Sequence, residues 1–159
     1  MRRRYRIKKG MLCFSSPLQP LPGVNVIVYH HMSRADWGLY DVHRFHKKKG
    51  WKGIGYNYWI GFDGSIYKAR GEHVGAHVRG WNHRSIGIGF QGDYDVQQMP
   101  DKQLQAGAWL TAYFMKKYNL KERDIVGHKE LSSDTTCPGA NFPMEEMKRQ
   151  AAAWLIADN

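Results

Sequence analysis

Three side chains in this sequence carry donors that a divalent metal prefers, at places where a fold can hold them rigidly. His30 closes the β-branched, mostly apolar run at residues 24–29. His128 follows Ile125-Val126-Gly127, and Cys137 lies in a polar loop just before Pro138-Gly139. Zinc accepts imidazole nitrogen and thiolate, and a catalytic zinc site uses three protein ligands with the fourth position open. The three residues are 98 and then 9 positions apart, so only the fold can bring them together. Spacing alone leaves an ordinary alternative open, in which the histidines are hydrogen-bonded in the core and the thiol is a small buried hydrophobe.

The chain has eight histidines. His43 and His46 share one helical face, but Lys47, Lys48 and Lys49 stand beside them and oppose a bound cation. They read as a packed or surface pair. His73, His77 and His83 fall in a glycine-rich stretch with irregular spacing, which suits substrate contacts or loop hydrogen bonds better than a metal. Glu130, two residues after His128, is either a proton carrier or a solvated charge, and the solvated charge is the stronger reading.

Positioning these groups requires a mixed architecture. Residues 24–29 read as a buried strand, 56–62 and 65–69 as two strands joined at an Asp63-Gly64 turn, and 86–91 as a strand with small glycines. Residues 40–49 form a short helix stopped by Gly50. Pro100-Asp101 opens a long helix to about Tyr118, and a last helix spans about 143–156. Residues 71–84 form a long loop, and 125–128 a short strand-like run. These elements imply a mixed α/β fold, a central mixed β-sheet flanked by helices.

With 159 residues, 42% hydrophobic and 24% charged, the chain has the length and composition of one globular domain. No apolar run approaches the ~18 residues of a membrane span, and two cysteines do not make a disulfide framework. The net charge is +10, yet six cations (Arg2, Arg3, Arg4, Arg6, Lys8, Lys9) stand in the first nine residues and the first acid is Asp36. Residues 1–22 therefore read as a basic arm with loop chemistry, and 23–159 as the domain proper. Met11 is an alternative start. A basic surface suits any polyanion, including an acidic cell wall. The nine residues that hold the arm's six cations include only Tyr5 as an aromatic, and the arm has no groove-reading motif, so no specific nucleic-acid partner is expected. The basic start lacks the apolar segment of a secretory signal, which leads to the expectation of synthesis in the cytoplasm.

Five segments together resemble the zinc-dependent N-acetylmuramoyl-L-alanine amidases of the type-2 class, the superfamily that includes peptidoglycan recognition proteins. They are VIVYHHMS (26–33), FHKKKGWKGIGYNYWIGFDGSIYKARG (45–71), VGAHVRGWNHRSIGIGFQGDY (74–94), IVGHKE (125–130) and DTTCPG (134–139). They stand in the family's order and cover roughly residues 24–157. The resemblance implies the type-2 amidase fold and one Zn2+ per chain, held by His30 (rather than His31), His128 and Cys137. It implies hydrolysis of the amide between N-acetylmuramic acid and L-alanine in peptidoglycan. The simplest bearer of that activity is a phage or prophage endolysin, monomeric and reaching the wall through a membrane pore.

Tyr56 falls on the family's catalytic tyrosine or glutamate position. Thr135 falls on a position that is lysine in some phage enzymes, and a hydroxyl there supplies a hydrogen bond but no charge. Gly50, Trp51 and Arg70 match positions that contact the extra carboxylate of diaminopimelate stems, so a preference for such stems is expected. His77 and Asn82 are expected in the same groove, and Cys13 is expected to be a free thiol. The alternative is a non-catalytic peptidoglycan-binding module. Such relatives typically lose a zinc ligand, above all the cysteine, whereas this chain keeps all three positions.

Overall fold

The structure, a computed structural model, describes residues 4–157. Strands β1 (Ile7–Lys9), β2 (Val26–His31), β3 (Tyr58–Ile60), β4 (Ile66–Lys68), β5 (Ser85–Phe90) and β6 (Ile125–Gly127) form one sheet in the order β1-β4-β3-β5-β2-β6. Only β3 and β4 pair antiparallel; the other neighbours are parallel. Helices α1 (Leu39–Lys48), α2 (Asp101–Tyr118) and α3 (Met144–Ala157) cover it. Among the described residues no helix is long and apolar enough to cross a membrane. The mixed sheet flanked by helices is the architecture expected from the sequence.

Strand alternation separates the two faces of the sheet. On β2, Ile27 and Tyr29 join the main core with Ile86, Ile88 and Phe90 of β5, under Leu104, Leu110 and Phe114 of α2. Burying each such side chain contributes about 1.5–3 kcal/mol. Tyr29 is fully buried, and its hydroxyl lies 2.6 Å from Thr111 Oγ1. Thr111 donates its own proton to Gly107 O, so Tyr29 is the donor. On the opposite face stand Val26, Val28 and His30 of β2 beside Ser85, Gly87 and Gly89 of β5, which is the face that carries the chemistry.

Two differences from the sequence reading concern boundaries. The strand expected at 56–62 is confined to Tyr58–Ile60, because the Asn57 side chain takes ladder partners for itself. Its Nδ2 donates to Gly71 O and His73 O, and its Oδ1 accepts from Gly87 N. The segment read as a loop-like arm contains β1, whose Ile7, Lys8 and Lys9 lie in register with Ile66, Tyr67 and Lys68 of β4. Its pattern was hidden by cations, and pairing with a distant strand decided its conformation. The arm is further tied down by Tyr5, which stacks on Trp109 with ring centroids 5.5 Å apart.

Candidate metal centre

His30 is the penultimate residue of β2, a strand buried along its whole length, and is 2% exposed. His128 opens a one-turn 3-10 helix, His128–Glu130, directly after β6. The Glu130 carboxylate caps that turn, accepting from Gly127 N at 2.6 Å. Read from the sequence as a solvated charge or a proton carrier, this side chain holds the turn. Cys137 is delivered by the 134–140 loop, which is stapled in several places. Lys129 N donates to Cys137 O at 2.7 Å, Thr136 Oγ1 to Asp95 Oδ2 and Ala140 N to Asp95 Oδ1.

The ligand atoms of His30, His128 and Cys137 all lie within 4.8 Å of one another. Cys137 Sγ and His30 Nδ1 are 3.7 Å apart. Two ligands at a tetrahedral zinc, with Zn–S near 2.3 Å and Zn–N near 2.05 Å, would be about 3.6 Å apart. The donor set therefore fits the ion in type and spacing. Burial lowers the pKa of His30 and of His128, so both imidazoles are neutral and keep a lone pair at neutral pH. Burial also pushes the Cys137 thiol up to about 12. A buried thiol needs a cation to become a thiolate, and the His31 N–H directed at Sγ (3.4 Å) supports the charged form.

A second cluster, His31 with Asp93 and Asp95, differs in kind. His31 Nδ1 accepts from Tyr94 N, and Nε2 pairs with Ser33 Oγ, so both ring nitrogens are engaged by protein. Asp95 holds the cysteine loop, as described above.

The groove over the three ligands is also lined by Tyr56, His46, Lys49, Trp51 and His77. Tyr56 is 8% exposed, and its ring centroid is 5.2 Å from that of His30. Desolvation, and then the neighbouring Cys137, raise its pKa well above the ordinary phenol value, so the hydroxyl keeps its proton and can donate it. Gly89 makes room for this ring: a Cβ there would lie 2.5 Å from Tyr56 Cδ2. His46 accepts from Gly55 N at 2.9 Å and His43 from Ile54 N at 3.0 Å. Both are packed histidines that hold the loop leading into Tyr56. The Trp51 ring packs tilted against His46, with centroids 4.5 Å apart, and Lys49 Nζ sits 4.3 Å from the Trp51 ring centre. Gly50 has φ +90°, a turn conformation that swings Trp51 toward the groove.

Of the expected substrate contacts, Arg70 and Asn82 are placed elsewhere and His77 lines the groove with its polar atoms already engaged. Arg70 is 6% exposed, and its guanidinium donates to the carbonyls of Ile54, Val74 and Gly53. It staples the loops behind the groove and offers no open fork to a carboxylate. Asn82 Oδ1 accepts from His77 N and Val78 N, so it shapes the 71–84 loop from within. His77 reaches the groove, but both its ring nitrogens are paired with protein, Nδ1 with His30 and Nε2 with Ser85. Thr135 stands beside the groove rather than in its lining. Its Oγ1 accepts from Cys137 N at 3.1 Å, which leaves the hydroxyl proton to donate. Asn57 was not singled out by sequence reasoning, and a buried polar residue between two strand aromatics was the signal available. A larger cavity of about 430 Å³, lined by Trp109, Tyr113 and Trp154 among others, lies on the helical side and contains none of these ligands.

Residues 19–140 match the family described as N-acetylmuramoyl-L-alanine amidase. The chain belongs to this amidase family. Among solved structures it is similar to the endolysin amidase LysCS from Clostridium intestinale, at 34% identity and TM-score 0.86, covering 92% of this chain and 95% of that one. It is likewise similar to a point mutant of Drosophila peptidoglycan recognition protein LB in complex with tracheal cytotoxin, at 28% identity and TM-score 0.75, covering 88% and 92%. Peptidoglycan-recognition protein SC2 of Drosophila melanogaster is 38% identical over 107 residues, which is 65% of this chain and 58% of that protein. Peptidoglycan-recognition protein 2 of Holotrichia diomphalia is 46% identical over 104 residues, 64% and 55%. The chain thus spans a little over half the length of these curated relatives.

Proposed function

We propose that this amidase-family chain is a zinc hydrolase that cleaves the amide between N-acetylmuramic acid and L-alanine in peptidoglycan. The observation that carries the reading is the convergence of His30, His128 and Cys137 with a protonated Tyr56 in one groove. When bound, zinc supplies a Lewis acid and lowers the pKa of a coordinated water to about 7. His30 and His128 hold the ion as neutral donors, and Cys137 contributes a thiolate that partly offsets its charge. Tyr56 donates its hydroxyl proton in a hydrogen bond to the scissile carbonyl oxygen as negative charge builds there, an electrostatic contribution typically worth about 3 kcal/mol. Thr135 offers a second hydroxyl at the edge of the ligand set. Trp51 gives the stem peptide an apolar wall.

Lys49 is the cation that lines this groove, so it takes the part first expected of Arg70 in meeting the extra carboxylate of a diaminopimelate stem. The +10 charge draws the protein to an anionic wall. The similarity to an endolysin is in keeping with a lytic role at the cell wall after release from the cytoplasm, and a single domain of this size would act as a monomer.

The test is release of new L-alanine amino termini from purified peptidoglycan of the diaminopimelate and lysine types. Activity should be lost on chelation and regained with zinc, with the diaminopimelate wall cut faster. No release from either wall by folded, zinc-loaded protein would replace this reading with a binding module that does not cut.

A further inference from the structure

His77 and Ser85 form a directional chain of hydrogen bonds that ends at His30. Ser85 Oγ donates to Trp81 O at 2.7 Å. A hydroxyl has one proton, so Ser85 Oγ must accept in its other contact, from His77 Nε2 at 3.0 Å. A neutral imidazole protonated at Nε2 has its lone pair on Nδ1. His77 Nδ1 lies 2.8 Å from His30 Nε2, so His30 must be the donor there. That assignment leaves the lone pair of His30 on Nδ1, the atom that faces Cys137 Sγ at 3.7 Å.

The chain is built into the fold. Ser85 is fully buried at the start of β5, and His77 is 9% exposed. The His77 ring rests on bare backbone at Gly87, where a Cβ would come within 2.6 Å of its Cγ and Nδ1. Its main chain is fixed by Asn82 Oδ1. The charged form of His77 is opposed by burial, by His128 and by Arg70, in keeping with a neutral ring throughout.

We propose that His77 and Ser85 are positioning residues that lock His30 in its Nε2–H tautomer, so that Nδ1 is presented to the metal before the metal arrives. The proposal rests on the metal-centre reading above and replaces the expectation that His77 is a substrate contact. Outer partners of this kind typically change metal affinity by 10–100-fold. His77→Leu keeps much of the ring's volume and removes the acceptor; zinc affinity should fall about 10–100-fold. His77→Asn places Oδ1 near the position of Nδ1 and should recover roughly a third or more of that loss on a logarithmic scale. Ser85→Ala acts from two residues away along the chain of bonds and should weaken zinc roughly 3–10-fold. Circular dichroism of the zinc-free variants establishes that each is folded.

Long-range 1H–15N spectra of the zinc-free native protein read the chain without any substitution. Both His30 and His77 should appear as Nε2–H tautomers. A His30 proton on Nδ1 overturns the proposal, as does unchanged zinc affinity in folded His77→Leu or Ser85→Ala. Native protein that binds no zinc at all, with the tautomers as stated, would instead count against the metal-centre reading and leave the hydrogen-bond chain standing.

Discussion

Replacing Gly89 with alanine tests whether Tyr56 acts where the structure puts it. The added Cβ would meet Tyr56 Cδ2 at 2.5 Å, Tyr56 Cγ at 2.8 Å and Trp59 Cε3 at 2.8 Å. Ordinary carbon contacts lie near 3.5–4.0 Å, so the ring must retreat by about 1 Å. The strand cannot retreat instead, because Gly89 lies in register with His30 on one side and Trp59 on the other. Overpacking of this kind costs about 1–3 kcal/mol, and replacing a strand glycine returns roughly 0.5–1 kcal/mol. The net expectation is a modest loss of about 1–2 kcal/mol, and a folded protein. A misplacement of about 1 Å in a catalytic group costs on the order of 100-fold in rate. Gly89→Ala should therefore retain zinc and lose kcat by about that factor. The decisive comparison is with Tyr56→Phe: if both act through one hydroxyl, the double variant should be little slower than Tyr56→Phe alone. Wall hydrolysis by single-turnover release of amino termini, with zinc content measured in parallel, gives the numbers. Full activity in Gly89→Ala, or multiplicative losses in the double variant, would refute the placement.

Three other outcomes follow from the site and its supports. Arg70→Met strands three carbonyl acceptors and should lower stability by about 3 kcal/mol while leaving the ratio of rates on the two wall types unchanged; denaturant unfolding and wall assays decide it. The pKa of His46 is lowered to about 4 and that of His77 to about 3, below the ordinary value near 6.5 that the unfolded chain keeps. Protons therefore bind the unfolded state first, and this contribution, complete above about pH 6.5, is lost as pH falls toward 4. The urea midpoint of the zinc-free protein should drop by roughly 1 M between about pH 7.5 and 5.5, and a flat profile would contradict it. Zinc uptake at about pH 7 should release about one proton more from the native protein than from Cys137→Ala, because the buried thiol holds its proton until the ion arrives; calorimetry in two buffers of different ionisation heat counts it.

The periodic elements were legible because their patterns are local. The helix from Asp101 to Tyr118 and the strand ending at His30-His31 are marked by apolar spacing and by Pro100 and the β-branched run. The ligand residues could be named from donor chemistry and family resemblance, but their meeting is a property of the folded chain. Side-chain direction was not legible. Arg70 and Asn82 stand at positions that resemble a substrate groove, yet each is turned to backbone partners of its own chain, and only the path of the loops shows this. Lys49 was passed over as one of three lysines in a row, although its helix end brings it onto Trp51. The first strand was missed because three residues cannot declare a period, and its partner lies some sixty positions later.

That first strand changes what the basic arm does for the molecule as a whole. Without β1, the outer side of β4 would be an open row of backbone donors and acceptors, a template for another chain to add itself. Ile7–Lys9 closes it with a very short strand that carries two lysines and follows Arg4 and Arg6. A second copy approaching this border meets like charge before it meets backbone. Cations that look in sequence like bait for a polyanion thus also act as a fence, and a chain begun at Met11 would lose both at once.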